Sequence, residues 1–153
     1  MSFNHPKAGA NSVPAYQMSG IPFVTSSAAT EVPRADNASP TPIQVDFPFV
    51  TKNVKVRNIG AGSLRVAFSA LGSITPGQGT KHASLTSNYF VIPPTDPDGG
   101  DNSIVEFDVR CKSIFFTSEI ATTGFSLFAG LTRIDISQFP VLTGSVTSFE
   151  GIG

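Results

Sequence analysis

From Ile43 onward, apolar and polar residues alternate almost one for one. Ile43, Val45, Phe47 and Phe49 are separated by Gln44, Asp46 and Pro48. Val54 and Val56 alternate with Lys55 and Arg57, and Leu64, Val66 and Phe68 alternate with Arg65 and Ser69. The longest run sets Val105, Phe107, Val109 and Cys111 against Glu106, Asp108, Arg110 and Lys112. Successive strand side chains point to opposite faces, so this period predicts half-buried strands with one wet face. Tyr89–Ile92, Ile114–Phe116 and Phe125–Leu131 are short apolar runs and predict more deeply buried strands.

Turn chemistry separates these runs. Asn58–Gly62 (NIGAG), Thr75–Gly79 (TPGQG) and Pro93–Asp101 (PPTDPDGGD) hold the Gly, Pro, Asn and Asp that reverse a chain. No helical period runs longer than two turns. The pattern therefore predicts an all-β chain of about seven strands between Ile43 and Ile134. Short strands with frequent turns imply two packed sheets, with immunoglobulin-like and jelly-roll sandwiches both open.

The two ends break the pattern. Pro6, Pro14, Pro22, Pro33, Pro40 and Pro42 are six of the 12 prolines, and apolar residues before Ile43 are scattered (Phe3, Tyr16, Ile21, Phe23, Val24). Residues 1–42 are expected to be an extended arm, disordered in the isolated chain, whose apolar residues serve as pegs for a partner. Asp135–Gly153 is expected to add an edge strand or to contact a neighbour.

Composition adds two constraints. Of 153 residues, 40% are hydrophobic and 14% charged, against a usual charged share of about 25%. A surface so poor in charge fits a chain partly covered by others. Net charge is -1 with no basic run, so the electrostatic attraction behind direct nucleic-acid binding is missing. No apolar stretch approaches the roughly 18 residues of a membrane span, and the first residues lack a secretory signal's pattern. The single Cys111 forms no internal disulfide, which suits a reducing compartment.

Candidate chemistry is sparse. His5, His82 and Cys111 have no zinc-ligand spacing. Asp96, Asp98 and Asp101 cluster in one loop, but the place of a calcium loop's bidentate Glu is taken by Phe107. Gly60-Ala61-Gly62 lies between two strands, not before a helix, and is expected to be a hairpin or bulge. Cys111 has inward parity and is expected to be a buried, inert thiol. Asn37-Ala38-Ser39 matches a glycosylation acceptor, unmodified on a cytosolic route. The expectation is no enzyme, and no catalytic, cofactor-binding or metal residues.

Four stretches taken in order carry a resemblance: FPFVTKNVKVRNIG (Phe47–Gly60), SLRVAFSALG (Ser63–Gly72), NYFVIPP (Asn88–Pro94), and CKSIFFTS (Cys111–Ser118) with FSLFAGLTRI (Phe125–Ile134). Together they resemble the penton protein of nucleocytoplasmic large DNA viruses, such as those of algae and protists. The resemblance implies a single jelly-roll β-sandwich of about eight antiparallel strands over residues 43–134, with the arm 1–42 before it and an extension 135–153 after it. The eighth strand then lies in the arm or the tail. It further implies a structural capsid protein, a homopentamer at icosahedral vertices, flanked by major capsid protein trimers and minor capsid proteins. Assembly would take place in the host cytoplasm. Fold-defining positions carried over are Leu64, Val66, Phe68, Tyr89, Phe90, Ile114, Phe116, Leu127 and Leu131. The competing expectation is a virion-surface sandwich that binds a host receptor or glycan.

Overall fold

The runs of alternating residues become strands in the computed structural model, which describes residues 17, 20–35, 41–73, 89–95, 101–119 and 121–139. In chain order these are β1 (Ile21–Ser26), β2 (Ile43–Asp46), β3 (Thr51–Asn58), β4 (Leu64–Ala67), β5 (Phe90–Ile92), β6 (Ile104–Phe107), β7 (Ser113–Ser118) and β8 (Phe125–Leu131). Among the described residues the other named elements are single 3-10 turns at Leu71–Ser73, Asp101–Ser103 and Ile136–Gln138. The strands form two four-stranded antiparallel sheets, ordered β1-β8-β3-β6 and β2-β7-β4-β5.

The two sheets face each other as a β-sandwich. Val54, Val56, Leu127, Ala129 and Leu131 come from the first sheet; Leu64, Val66, Ile92, Ile114 and Phe116 come from the second. Aromatic contacts fix how the layers align. Phe116 on β7 stacks on Phe125 at the start of β8, centroids 4.0 Å apart. Phe23 on β1 meets Phe47, just past β2, edge to face at 5.3 Å. Phe107 on β6 meets Phe90 on β5 at 5.5 Å. So β1 lies over the β2 side of the second sheet, β8 over β7, and β6 over β5.

The seven strands read from the alternation and the short apolar runs all form, and the eighth is β1, inside the segment expected to be an arm. Residues 20–35 are built into the sandwich. β1 pairs with β8 along its whole length, from Ile21 with Leu131 to Ser26 with Ser126. Its proline is tolerated because β1 is an edge. Ser27 N–H donates to Phe125 O at 2.9 Å, so by strand alternation the odd-numbered residues of β1 direct N–H toward β8. Pro22 then stands where a donor would point away from the sheet. Phe23, expected as a peg for a partner, packs into this chain's own core. Residues 1–16, with Phe3 and Tyr16, lie outside the described residues.

Two strands end earlier than their alternation. β2 stops at Asp46 and β6 at Phe107 because the chain there leaves one sheet for the other. Phe47, Val109 and Cys111 keep their inward parity while crossing. The Asn58–Gly62 turn is likewise a crossing, from β3 in one sheet to β4 in the other, and not a hairpin. Of the carried-over core positions, Leu64, Val66, Ile114, Phe116, Leu127 and Leu131 are buried, whereas Phe68 and Tyr89 are half-buried and Phe90 is exposed. Phe90 sits on a three-residue edge strand, which leaves its ring covered on one side only. Beyond β8, Ile134 is buried and Asp135 caps the 3-10 turn. Residues 140–153 lie outside the described residues.

Candidate functional site

Among the described residues, no group of three His, Cys, Asp or Glu side chains is placed to hold a metal ion. His5, His82, Asp96, Asp98 and Asn37–Ser39 lie outside the described residues. Asp101 opens the turn before β6. No helix among the described residues is long and apolar enough to cross a membrane.

Cys111 is fully buried, on the face its parity assigns. Burial pushes its thiol up from 9.0 to about 11, against a smaller downward pull from the Thr51 hydroxyl. Thr51 is the anchor of this end of the sandwich. Its hydroxyl donates to Val109 O at 2.8 Å and accepts from Cys111 N–H at 2.8 Å. Beside it, Thr132 Oγ1 donates to Val50 O at 2.7 Å. These bonds tie the β2–β3 crossing to the β6–β7 crossing and to the end of β8. A thiol held protonated under such a lid is a packing group, not a nucleophile.

A second polar node closes the opposite end. Asn58 is buried, and its Nδ2 donates to Gly62 O (2.8 Å), Pro93 O (2.9 Å) and Ile92 O (3.2 Å). Its Oδ1 accepts from Thr123 Oγ1 at 2.6 Å and Gly60 N–H at 3.1 Å. One amide therefore joins the β3–β4, β5–β6 and β7–β8 connections. Gly60 is required there: a Cβ would meet Thr123 Cα at 2.7 Å and its hydroxyl closer still. Every polar atom of Asn58 is satisfied, so the node locks loops together and leaves no group aimed at a ligand.

What remains is the outer surface of the sheets. Among the described residues β1, β6, β2 and β5 are the sheet edges. On the outer face of the first sheet, Val24 on β1 lies directly opposite Phe128 on β8, and Lys55 on β3 and Glu106 on β6 continue the row. Val24 is 71% exposed and Phe128 42%. On the far side, Phe90 is 49% exposed and Val91 37%. These exposed apolar side chains are the most site-like feature of the described residues. Sequence reading passed over Phe128 by taking Phe125–Leu131 as one buried run. The signal was present: Phe125, Leu127 and Ala129 share one parity, and Phe128 has the other.

The class that this geometry defines is an all-β sandwich of two antiparallel four-stranded sheets. Comparison of the chain with protein-family models, with curated proteins and with solved structures gave no match.

Proposed function

We propose that the chain is a structural capsid protein, a single jelly roll that forms the pentameric penton at the vertices of an icosahedral large DNA virus. The observation that carries the reading is the strand order. With eight strands numbered along the chain, the order β1-β8-β3-β6 over β2-β7-β4-β5 supports a jelly roll, since it is the order expected when one long antiparallel ribbon folds over itself. Jelly rolls of this kind recur in viral capsid and lectin domains. Fold alone does not select between such roles. The choice rests on the motifs FPFVTKNVKVRNIG, SLRVAFSALG, NYFVIPP, CKSIFFTS and FSLFAGLTRI, which fall on β3, β4, β5, β7 and β8. Low charge and apolar edge surfaces support it, since durable contacts are depleted in charge at their centres.

In this reading five copies close a ring, with major capsid protein trimers and minor capsid proteins around it. Two measurements test the proposal. Sedimentation of the purified chain should give a species of five 16.0-kDa chains. Electron microscopy of virions containing the tagged protein should place the tag at the fivefold vertices. Label spread over the facets rejects the penton role.

A further inference from the structure

Residues 20–35 join the sandwich in two parts of unequal grip. The second part is anchored. Val32 and Ala35 are fully buried. Val32 N–H donates to Thr123 O at 3.0 Å, Ala35 N–H to Ser118 O at 2.8 Å, and Ser118 N–H to Pro33 O at 2.8 Å. The first part, β1, is held on one side only. It pairs with β8 and no other strand. None of its residues is buried, and Phe23 alone packs against the core. Between the parts, residues 28–31 are exposed, and the Glu31 carboxylate accepts from Ala28 N–H at 2.8 Å. Local openings begin where few buried contacts hold a segment. β1 can therefore peel from β8 about residues 28–31 while Val32 and Ala35 stay seated.

Peeling uncovers β8 (FSLFAGL), an edge with no charged side chain to guard it. The place beside it is fitted to one sequence. A Cβ at Gly20 would meet Gly130 Cα at 2.8 Å, so the strands approach glycine on glycine. Further along β1, Phe23 meets Phe47 edge to face at 5.3 Å. A second copy of this chain carries the same glycine and phenylalanine at the same spacing, so its β1 fits the same place in the same register. We propose that copies of the chain exchange β1, the strand of one copy completing the first sheet of another beside β8. This rests on the reading of the chain as a self-assembling subunit, and it names the element that passes between subunits. The β1–β8 pairing is identical with and without exchange, so concentration decides between them. Where copies stand side by side in an assembly, a neighbour's β1 competes with the chain's own.

Ser26 and Ser126 read the exchange. They lie opposite each other in the β1–β8 register, and both are exposed. Because Ser27 N–H donates to Phe125 O, Ser26 and Ser126 form a non-hydrogen-bonded pair, the kind with the closer side chains. Such a pair suits a disulfide. The whole chain carrying Ser26→Cys is mixed with the whole chain carrying Ser126→Cys under a mild oxidant, and linked chains are read on a non-reducing gel. One chain carrying both substitutions, held dilute, should close the link within itself. In the mixture the link can form only between chains. The control mixture pairs Ser26→Cys with Lys55→Cys, an exposed site on β3, which β8 separates from β1. Buried Cys111 is common to both mixtures. The Ser126→Cys mixture should link about tenfold faster or more than the control, because register holds only that pair together. Equal rates in the two mixtures overturn the exchange. If the wild-type chain then still sediments as a multi-chain species, the capsid reading survives without it. Specific linking in chains that otherwise sediment at 16.0 kDa upholds the exchange and overturns the pentamer. Should either Cys variant lower the melting temperature, Val24→Cys with Phe128→Cys, the neighbouring pair of the same kind, repeats the test.

Discussion

The two sheets obey the same alternation and bury it differently. In the first, β8 alternates buried and exposed residues from Phe125 to Phe128, and β3 does so from Val54 to Asn58. In the second, β4 and β7 are buried at every position. The cause is the chain's path after β4. The turn at Leu71–Ser73 lies back against β4 and β7, and Thr117 Oγ1 donates to Ser73 O at 2.6 Å. Arg65, expected on a wet face, lies beneath the Tyr89 ring at 4.3 Å and beside Glu119 at 3.5 Å. An odd-even pattern therefore tells which residues share a face. Whether that face meets water depends on where the connections run.

The largest effect is expected where both sheets meet. Phe116 is fully buried and stacked on Phe125. Phe116→Ala should cost about 3–5 kcal/mol, the usual range for a buried phenylalanine, read from urea unfolding. That is much of the roughly 5–15 kcal/mol by which a domain is stable. Phe68 and Phe107 form an edge-to-face pair at 6.1 Å but are half-buried at the open β5–β6 flank, so truncating either should cost less. A Phe116→Ala protein as stable as wild type would mean that the sheets do not pack through this stack.

The next test sets one sheet against the other. Phe115 and Phe128 both point away from the core, Phe115 from β7 and Phe128 from β8. Phe115 is 1% exposed under the cover of its sheet. Phe115→Ala should therefore behave as a core truncation, about 3 kcal/mol or more. Phe128→Ala should stay within about 1 kcal/mol, as surface changes do. Equal losses would remove the distinction between a covered and an open outer face.

What the sequence disclosed follows from the same distinction. Strands with a dry and a wet side announce themselves by parity, which is why β3, β6 and β8 are legible from Val54, Phe107 and Leu127. β7 is legible as an unbroken apolar run. β1 is not, because IPFVTS carries a proline, has few inward apolar residues and owes its place to β8, a partner a hundred residues away.

A smaller effect is expected at the node that ties the two sheets at one end. Asn58→Ala removes a side chain bonded to three carbonyls, one backbone N–H and one hydroxyl. Some of these groups then gain water while others stay buried and unsatisfied. A loss of roughly 1–3 kcal/mol is expected, the cost of leaving a buried polar group unmet. Hydrogen exchange should localise the change to the turns at Gly60, Thr95 and Thr123. Even destabilisation across both sheets, with no local excess, would assign the node no special role in joining the loops.

The smallest effect concerns Cys111, where the chain passes from the first sheet to the second. Its thiol is held up at about 11 against 9.0 when unfolded. Below pH 9 both states keep the proton, and this group adds no pH dependence. Above pH 9 the unfolded chain binds fewer protons than the folded one, so the group's contribution to stability falls with rising pH until about pH 11. At neutral pH the native thiol should resist a disulfide reagent and react only through opening of the sandwich. Its labelling rate then reports how often the layers part. Phe115→Ala should speed labelling by the same factor as it lowers stability, whereas Phe128→Ala should leave the rate nearly unchanged. Fast labelling of the wild-type chain under native conditions would show that Cys111 is reached without separating the sheets, and that Thr51 does not seal that end.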